Sequence, residues 1–220
     1  HNRCRRQRQM CIRDSTVMER GMRALSVEEF DAAANETEAL ILDTRHQDVF
    51  TKGFIPQSIF IGIKGSFAMW VGAMIPDIKQ KLLLVTDPGM EEEVLTRLSR
   101  VGYDQTIGFL DGGFESWSNA GKEIDTMEQI SASGLDQLAD PVVVDVRKIG
   151  EYQSEHVPNA IHASLELINN HMTELPTEGK FYVHCAGGYR SVIAASILKA
   201  RGIHNPVSYT HLRAHETKCY

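Results

Sequence analysis

Cys185 and the six residues after it, Ala186-Gly187-Gly188-Tyr189-Arg190-Ser191, are the stretch whose residue types and spacing can do chemistry. Ahead of it runs Phe181-Tyr182-Val183-His184, the pattern of a buried strand. Behind it come Val192, Ile193, Ala194, Ala195, Ile197 and Leu198, enough apolar surface for a helix buried around most of its circumference. A cysteine at such a junction faces the free amide N–H groups of the helix's first turn, and two successive glycines permit the positive-φ backbone that an amide nest requires. Those groups and Arg190 favour negative charge on the sulfur and on an anion beside it. The implied chemistry is attack by a thiolate in an anion cradle, with Cys185 catalytic and Ala186, Gly187, Gly188, Tyr189, Arg190 and Ser191 binding substrate. Tyr189 also reads as a shield over the loop, and Ser191 as a helix cap. His184 neighbours Cys185 but points to the other face of the strand, which argues for a packing role and against a Cys–His pair. His46, His156, His162 and His171 lack metal-ligand spacing, His156 reads as a solvated loop residue, and no metal is expected.

The elements that position this loop occur twice. Leu25-Ser26-Val27-Glu28-Glu29-Phe30 opens one copy, with Ser26 and Glu29 at capping-box spacing, and Ile130-Ser131 with Leu135 and Leu138 opens the other. Ala39 to Arg45 and Pro141 to Arg147 are apolar runs ending in Asp-x-Arg, followed at one constant offset by Phe54-Ile55-Pro56 and His156-Val157-Pro158. A third matched run, Lys81 to Asp87 against Lys180 to Cys185, leads into helices expected over 91–101 and 191–201. In this reading Asp87 stands where the other copy has Cys185, and Glu91, Glu92 and Glu93 follow, which would repel an anion. The first copy therefore reads as a scaffold or interaction module. Strands alternating with helices give an α/β fold with a mainly parallel sheet in each copy and the site beyond the strands' carboxyl ends. Asp145 and Arg147 are expected to brace the strand end as structural support.

The strand–Cys-x-x-Gly-x-Arg–helix arrangement at Cys185 to Arg190, Asp-x-Arg at Asp145 and Arg147, and Asp-Gly-Gly-Phe-x-x-Trp at Asp111 to Trp117 closely resemble the rhodanese superfamily over nearly all of residues 23–207. The resemblance implies two tandem rhodanese-like domains, the first inactive. It also implies sulfur transfer from thiosulfate or a low-molecular-weight persulfide to a thiol or other acceptor, through a persulfide on Cys185 and without a cofactor. An inactive copy before an active one is similar to the C-terminal half of fusions to a metallo-β-lactamase-fold, persulfide-dioxygenase-like domain, which would make that upstream domain a partner. The rival enzyme class, Cys-dependent phosphatases and arsenate reductases, resembles Cys-x5-Arg; here four residues separate Cys185 from Arg190, a cradle one residue shorter.

Composition bounds the rest. The 220 residues are 42% hydrophobic and 24% charged with a net charge of −6, the make-up of a soluble globular chain. No apolar run approaches the roughly 20 residues of a membrane span. Residues 1–15 are Arg-rich and 208–220 are polar, while the middle is acidic, which argues against nucleic-acid binding. Codons ATG TGT ATA AGA GAC for Met10 to Asp14, read on the opposite strand, encode Val207 to His211. Both ends therefore read as translated sequencing adapters. The expected organisation is an adapter-like disordered 1–15, an upstream remnant over 16–22, domain 1 over 23–122, a linker over 123–129, domain 2 over 130–207, truncated before its last strand and helix, and an adapter-like 208–220. Cys185 is then the one cysteine left between the ends, which suits a reducing cytoplasm.

Overall fold

Apolar runs without polar alternation should form parallel strands covered on both faces, and they do. The computed structural model describes residues 17–210. In the first repeat β1 (Ala24–Leu25), α1 (Val27–Thr37), β2 (Leu40–Asp43), α2 (Gln47–Phe50), β3 (Ile59–Phe60), α3 (Phe67–Met74), β4 (Leu82–Val85), α4 (Glu91–Arg100), β5 (Thr106–Leu110) and α5 (Gly113–Asn119) follow in order. The second repeat runs β6 (Gln129–Ser131), α6 (Ala132–Leu135), β7 (Val143–Asp145), α7 (Ile149–Ser154), β8 (Ile161–His162), β9 (Phe181–Cys185), α8 (Tyr189–Ala200) and β10 (Pro206–Thr210), with two short 3-10 helices at Leu165–Asn170 and Met172–Glu174. Each repeat has a five-stranded parallel sheet, ordered β1-β5-β4-β2-β3 and β6-β10-β9-β7-β8. These are two tandem α/β units.

The matching strand orders correct one expectation. The second sheet was expected to lack its last strand, yet β10 lies between β9 and β6, pairing Pro206 to Thr210 with Phe181 to Cys185 in unbroken register. Ser208, Tyr209 and Thr210, assigned by reverse translation to a foreign tail, therefore complete the sheet. Val207 is 2% and Ser208 0% exposed, and the Ser208 N–H donates to the Glu128 carbonyl at 2.9 Å. A chain segment that alternates Val207, Ser208 and Tyr209 can pair as a strand whatever its origin, because the ladder uses backbone groups. The expected absence of a following helix, and the 1–15 segment, concern positions outside the described residues.

Contacts divide the described chain into two compact units. Residues up to His46 with Ile61–Ile124 form one, and Gln47–Phe60 with the residues from Asp125 onward form the other. In the first, Ser26 caps α1: its Oγ accepts from the Glu29 N–H while Glu29 Oε2 accepts from the Ser26 N–H, the reciprocal arrangement the sequence announces. All four residues of β4 are buried, and Phe30 meets Trp117 edge to face at 6.1 Å. In the second, α8 is buried at every position from Ser191 to Leu198. Ser196 is tolerated there because its Oγ accepts the Phe60 N–H at 2.9 Å and donates to the Ile193 carbonyl at 2.8 Å. Among the described residues no helix is long and apolar enough to cross a membrane.

Candidate active site

Cys185 is the last residue of β9 and is 1% exposed. The chain turns at Gly188, the N-cap of α8, whose φ of 79° is a left-handed conformation that glycine adopts without a side-chain clash. That turn aims the Ser191 N–H at Cys185 Sγ, 3.3 Å away. Ser191 is therefore inside the first turn and is not its cap, a correction to the capping reading. Its hydroxyl donates to the Gly188 carbonyl at 2.9 Å and lies 3.0 Å from Ser208 Oγ and 3.5 Å from Sγ. A hydroxyl has one proton to give, so with that proton on Gly188 both the thiol and Ser208 donate into Ser191 Oγ. Ala186 and Gly187 are exposed, which puts the sulfur at the floor of a loop with an open rim. Gln47 Nε2 donates to the Gly187 carbonyl at 3.2 Å, and the Tyr189 ring stands edge-on to Phe60 at 5.7 Å, both within the second unit. Burial pushes the Tyr189 phenol up from its ordinary value, in keeping with a shielding role.

Arg190 does not stand open beside the sulfur. Its Nη1 and Nη2 grip Glu151 Oε2 and Oε1 at 2.6 and 2.9 Å, a two-pronged pair of a kind that is both short and directional. That contact, more than any other, holds the Glu151 carboxyl down at about 2. Glu151 is also fixed from below, because Oε2 accepts the Lys148 N–H at the start of α7. Beside it Asp145, fully buried, accepts Arg147 through N, Nε and Nη2, and Arg147 Nη2 also reaches the Glu155 carbonyl. Asp145 and Arg147 thus tie the end of β7 to the end of α7, as a brace. The first repeat builds the same brace from Asp43 and Arg45.

Strand register corrects which residue of the first repeat stands where the second has Cys185. Asp43 pairs with Val85 and Asp145 with His184, so the residue matching Cys185 is Thr86, with Asp87 one step further along. The two loops differ in length, and a reading that ends both apolar runs at the loop slips by one. In the first repeat Glu91 Oε1 accepts from Thr86 Oγ1 and the Gly89 N–H. A carboxylate of the chain itself thus binds the hydroxyl of the residue that matches Cys185 and one amide of its loop.

His184 is buried and tilts against Tyr209 at 4.9 Å, on the packing side as expected. His156 is exposed but not a bare loop residue: it stacks on Tyr152 at 4.0 Å, and its Nδ1 lies 2.8 Å from the Tyr152 carbonyl. Among the described residues no three His, Cys, Asp or Glu side chains gather as a metal site. Glu151 and Ser208 are the site neighbours that sequence reasoning missed. Glu151 did carry a signal, the position three residues after Lys148 at which a helix-start carboxylate turns back.

The profile of the rhodanese-like domain matches residues 26–120 and again 130–211, and this chain belongs to that family. YrkF of Bacillus subtilis, described as a sulfur carrier protein, is 32% identical over 95 residues, covering 41% of this chain and 49% of that protein. The adenylyltransferase and sulfurtransferase uba4 of Ogataea parapolymorpha is 35% identical over 81 residues, covering 36% and 21%. The chain thus spans half or less of these relatives. Among solved structures, the thiosulfate sulfurtransferase of Pseudomonas aeruginosa is 24% identical with a TM-score of 0.41, covering 86% of this chain and 41% of its own.

Proposed function

We propose that the second unit is a sulfurtransferase that moves sulfane sulfur through Cys185. The Cys185 thiolate attacks the outer sulfur of thiosulfate or of a low-molecular-weight persulfide. The donor's S–S bond breaks, and its electron pair leaves with sulfite or with the donor thiolate. An acceptor thiolate or cyanide then attacks the outer sulfur of the Cys185 persulfide, and Sγ departs as thiolate. The carrying observation is the Ser191 N–H directed at Sγ from 3.3 Å, at the floor of a loop open at the carboxyl end of β9. That amide favours the thiolate as it attacks and again as it leaves. Family membership and the relatives' descriptions agree with this reading. The first repeat, with Thr86 in place of the nucleophile and Glu91 on the Gly89 N–H of its loop, serves as a scaffold.

Thiocyanate formation from thiosulfate and cyanide tests the assignment in protein lacking Cys4, Cys11 and Cys219, whose thiols would react nonspecifically. Turnover that disappears in Cys185→Ser supports it. Turnover that survives the substitution contradicts it, and Cys185-dependent hydrolysis of an aryl phosphate without sulfur transfer would move the site to the phosphatase class.

A further inference from the structure

Both guanidinium groups that flank the sulfur loop are already engaged. Arg190 is held in a fork by Glu151, and Arg147 by the buried Asp145. What the loop itself turns toward Sγ is a backbone amide at the start of a helix, a partial positive charge of about half a unit. Such a field suits a donor with one negative charge better than one with two, because the attacking thiolate is itself negative. The first repeat points the same way. At the constant offset that matches Asp43 to Asp145 and Arg45 to Arg147, Glu151 corresponds to Val49, and the helix after the Thr86 loop opens with Glu91, Glu92 and Glu93 and holds no arginine in its first turn. The Glu–Arg fork is absent together with the nucleophile, whereas the Asp–Arg brace is kept. The fork therefore goes with the chemistry and the brace goes with the fold.

We infer that Glu151 is a positioning residue that sets donor choice: by cancelling the charge of Arg190 it tunes the site to singly charged persulfides and against dianionic thiosulfate. This rests on the sulfur-transfer reading above. For the persulfide anion, Cys185 S⁻ and R–S–S⁻ give Cys185 S–S⁻ and R–S⁻. For thiosulfate, the same thiolate gives Cys185 S–S⁻ and sulfite. The two reactions form the same Sγ–S bond and differ in the charge brought to the loop. Glu151 is 38% exposed and Arg190 19%, so the pair sits where an incoming anion meets it.

The test is a charge cycle over the wild type, Glu151→Gln, Arg190→Gln and the double variant, in protein lacking Cys4, Cys11 and Cys219. Sulfur loading of Cys185 is followed by mass with thiosulfate and with the persulfide of 2-mercaptoethanol, and the quantity read is the ratio of the two rate constants. Freeing the guanidinium in Glu151→Gln is expected to raise the thiosulfate-to-persulfide ratio roughly tenfold, the effect of about 1.4 kcal/mol at the transition state. Arg190→Gln, which leaves the carboxylate alone, is expected to lower it by a similar factor. The double variant, with neither charge, should return to within about twofold of the wild type. A purely structural fork would slow both donors alike and leave the ratio flat across the four proteins, and that result overturns the inference while sulfur transfer stands. If one single variant fails to fold, the other and the double still carry different expectations, a shifted ratio against an unshifted one. Absence of loading by either donor in the wild type would instead overturn the sulfur-transfer reading, and this inference with it.

Discussion

Replacing Glu151 by Gln keeps the side chain's size and removes the charge that grips Arg190, and its effect on folding follows from the same geometry. A carboxyl held at about 2 instead of 4.5 gains about 3 kcal/mol in an unscreened site. Glu151 is 38% exposed, so water screens the pair and about 1–2 kcal/mol remains. The folded state depresses this pKa, so the contribution is complete above the unfolded value and is lost as pH falls through the folded one. The wild type should therefore exceed Glu151→Gln by a constant margin from neutral pH down to about 5, and the margin should shrink toward zero near pH 2. Comparing the two proteins at each pH cancels Glu29, the other carboxylate held down among the described residues, which both carry. Trp70 and Trp117 both lie in the first unit, so tryptophan fluorescence is blind to this change. Urea titration read by a deuterium pulse on the β9 peptide Phe181–Cys185 follows the right unit. A margin that persists undiminished at the acid end, or is missing at neutral pH, would refute the reasoning.

Arg45→Ala should cost the first unit about 3–5 kcal/mol, since Asp43 is fully buried and would lose its counter-charge; tryptophan fluorescence in urea reads it, and a loss under 1 kcal/mol would show the brace to be dispensable. Ser191→Ala should destabilise the second unit by about 1–3 kcal/mol, because the buried Ser208 hydroxyl and the Gly188 carbonyl lose a partner. A variant as stable as the wild type by the β9 deuterium pulse would show that water replaces the hydroxyl. Ser208→Pro removes the N–H that bonds Glu128 in a strand paired on both sides, so protection of β9 should fall by roughly a hundredfold or more, about 3 kcal/mol or more. Unchanged protection would place Ser208 outside the sheet.

Legibility followed the range of the interaction. The central strands β4 and β9 stand out as apolar runs, the Ser26–Glu29 cap is a three-residue pattern, and the Asp145–Arg147 brace spans two residues, all local enough for sequence to display. The Cys185 loop was legible because it packs the cysteine, the left-handed Gly188 and the helix start into seven residues. The pairing of Glu151 with Arg190 was not, because the two are 39 residues apart and only the arrangement of β7 and β9 brings them together. The slip from Thr86 to Asp87 has a similar source: strand register is fixed by backbone pairing with β2, and side-chain hydropathy does not display it. The strand β10 was missed for another reason. Codons bear on where Val207 to Thr210 came from, whereas pairing with β9 and β6 depends on what the backbone can do.

The mass of the peptide that carries Cys185, measured after brief exposure of the protein lacking Cys4, Cys11 and Cys219 to a persulfide donor, tests the central claim most directly. The account predicts a gain of one sulfur atom on Cys185, removed again by cyanide with release of thiocyanate, and no gain in Cys185→Ser. An unmodified Cys185 peptide in folded protein that retains β9 protection would contradict it.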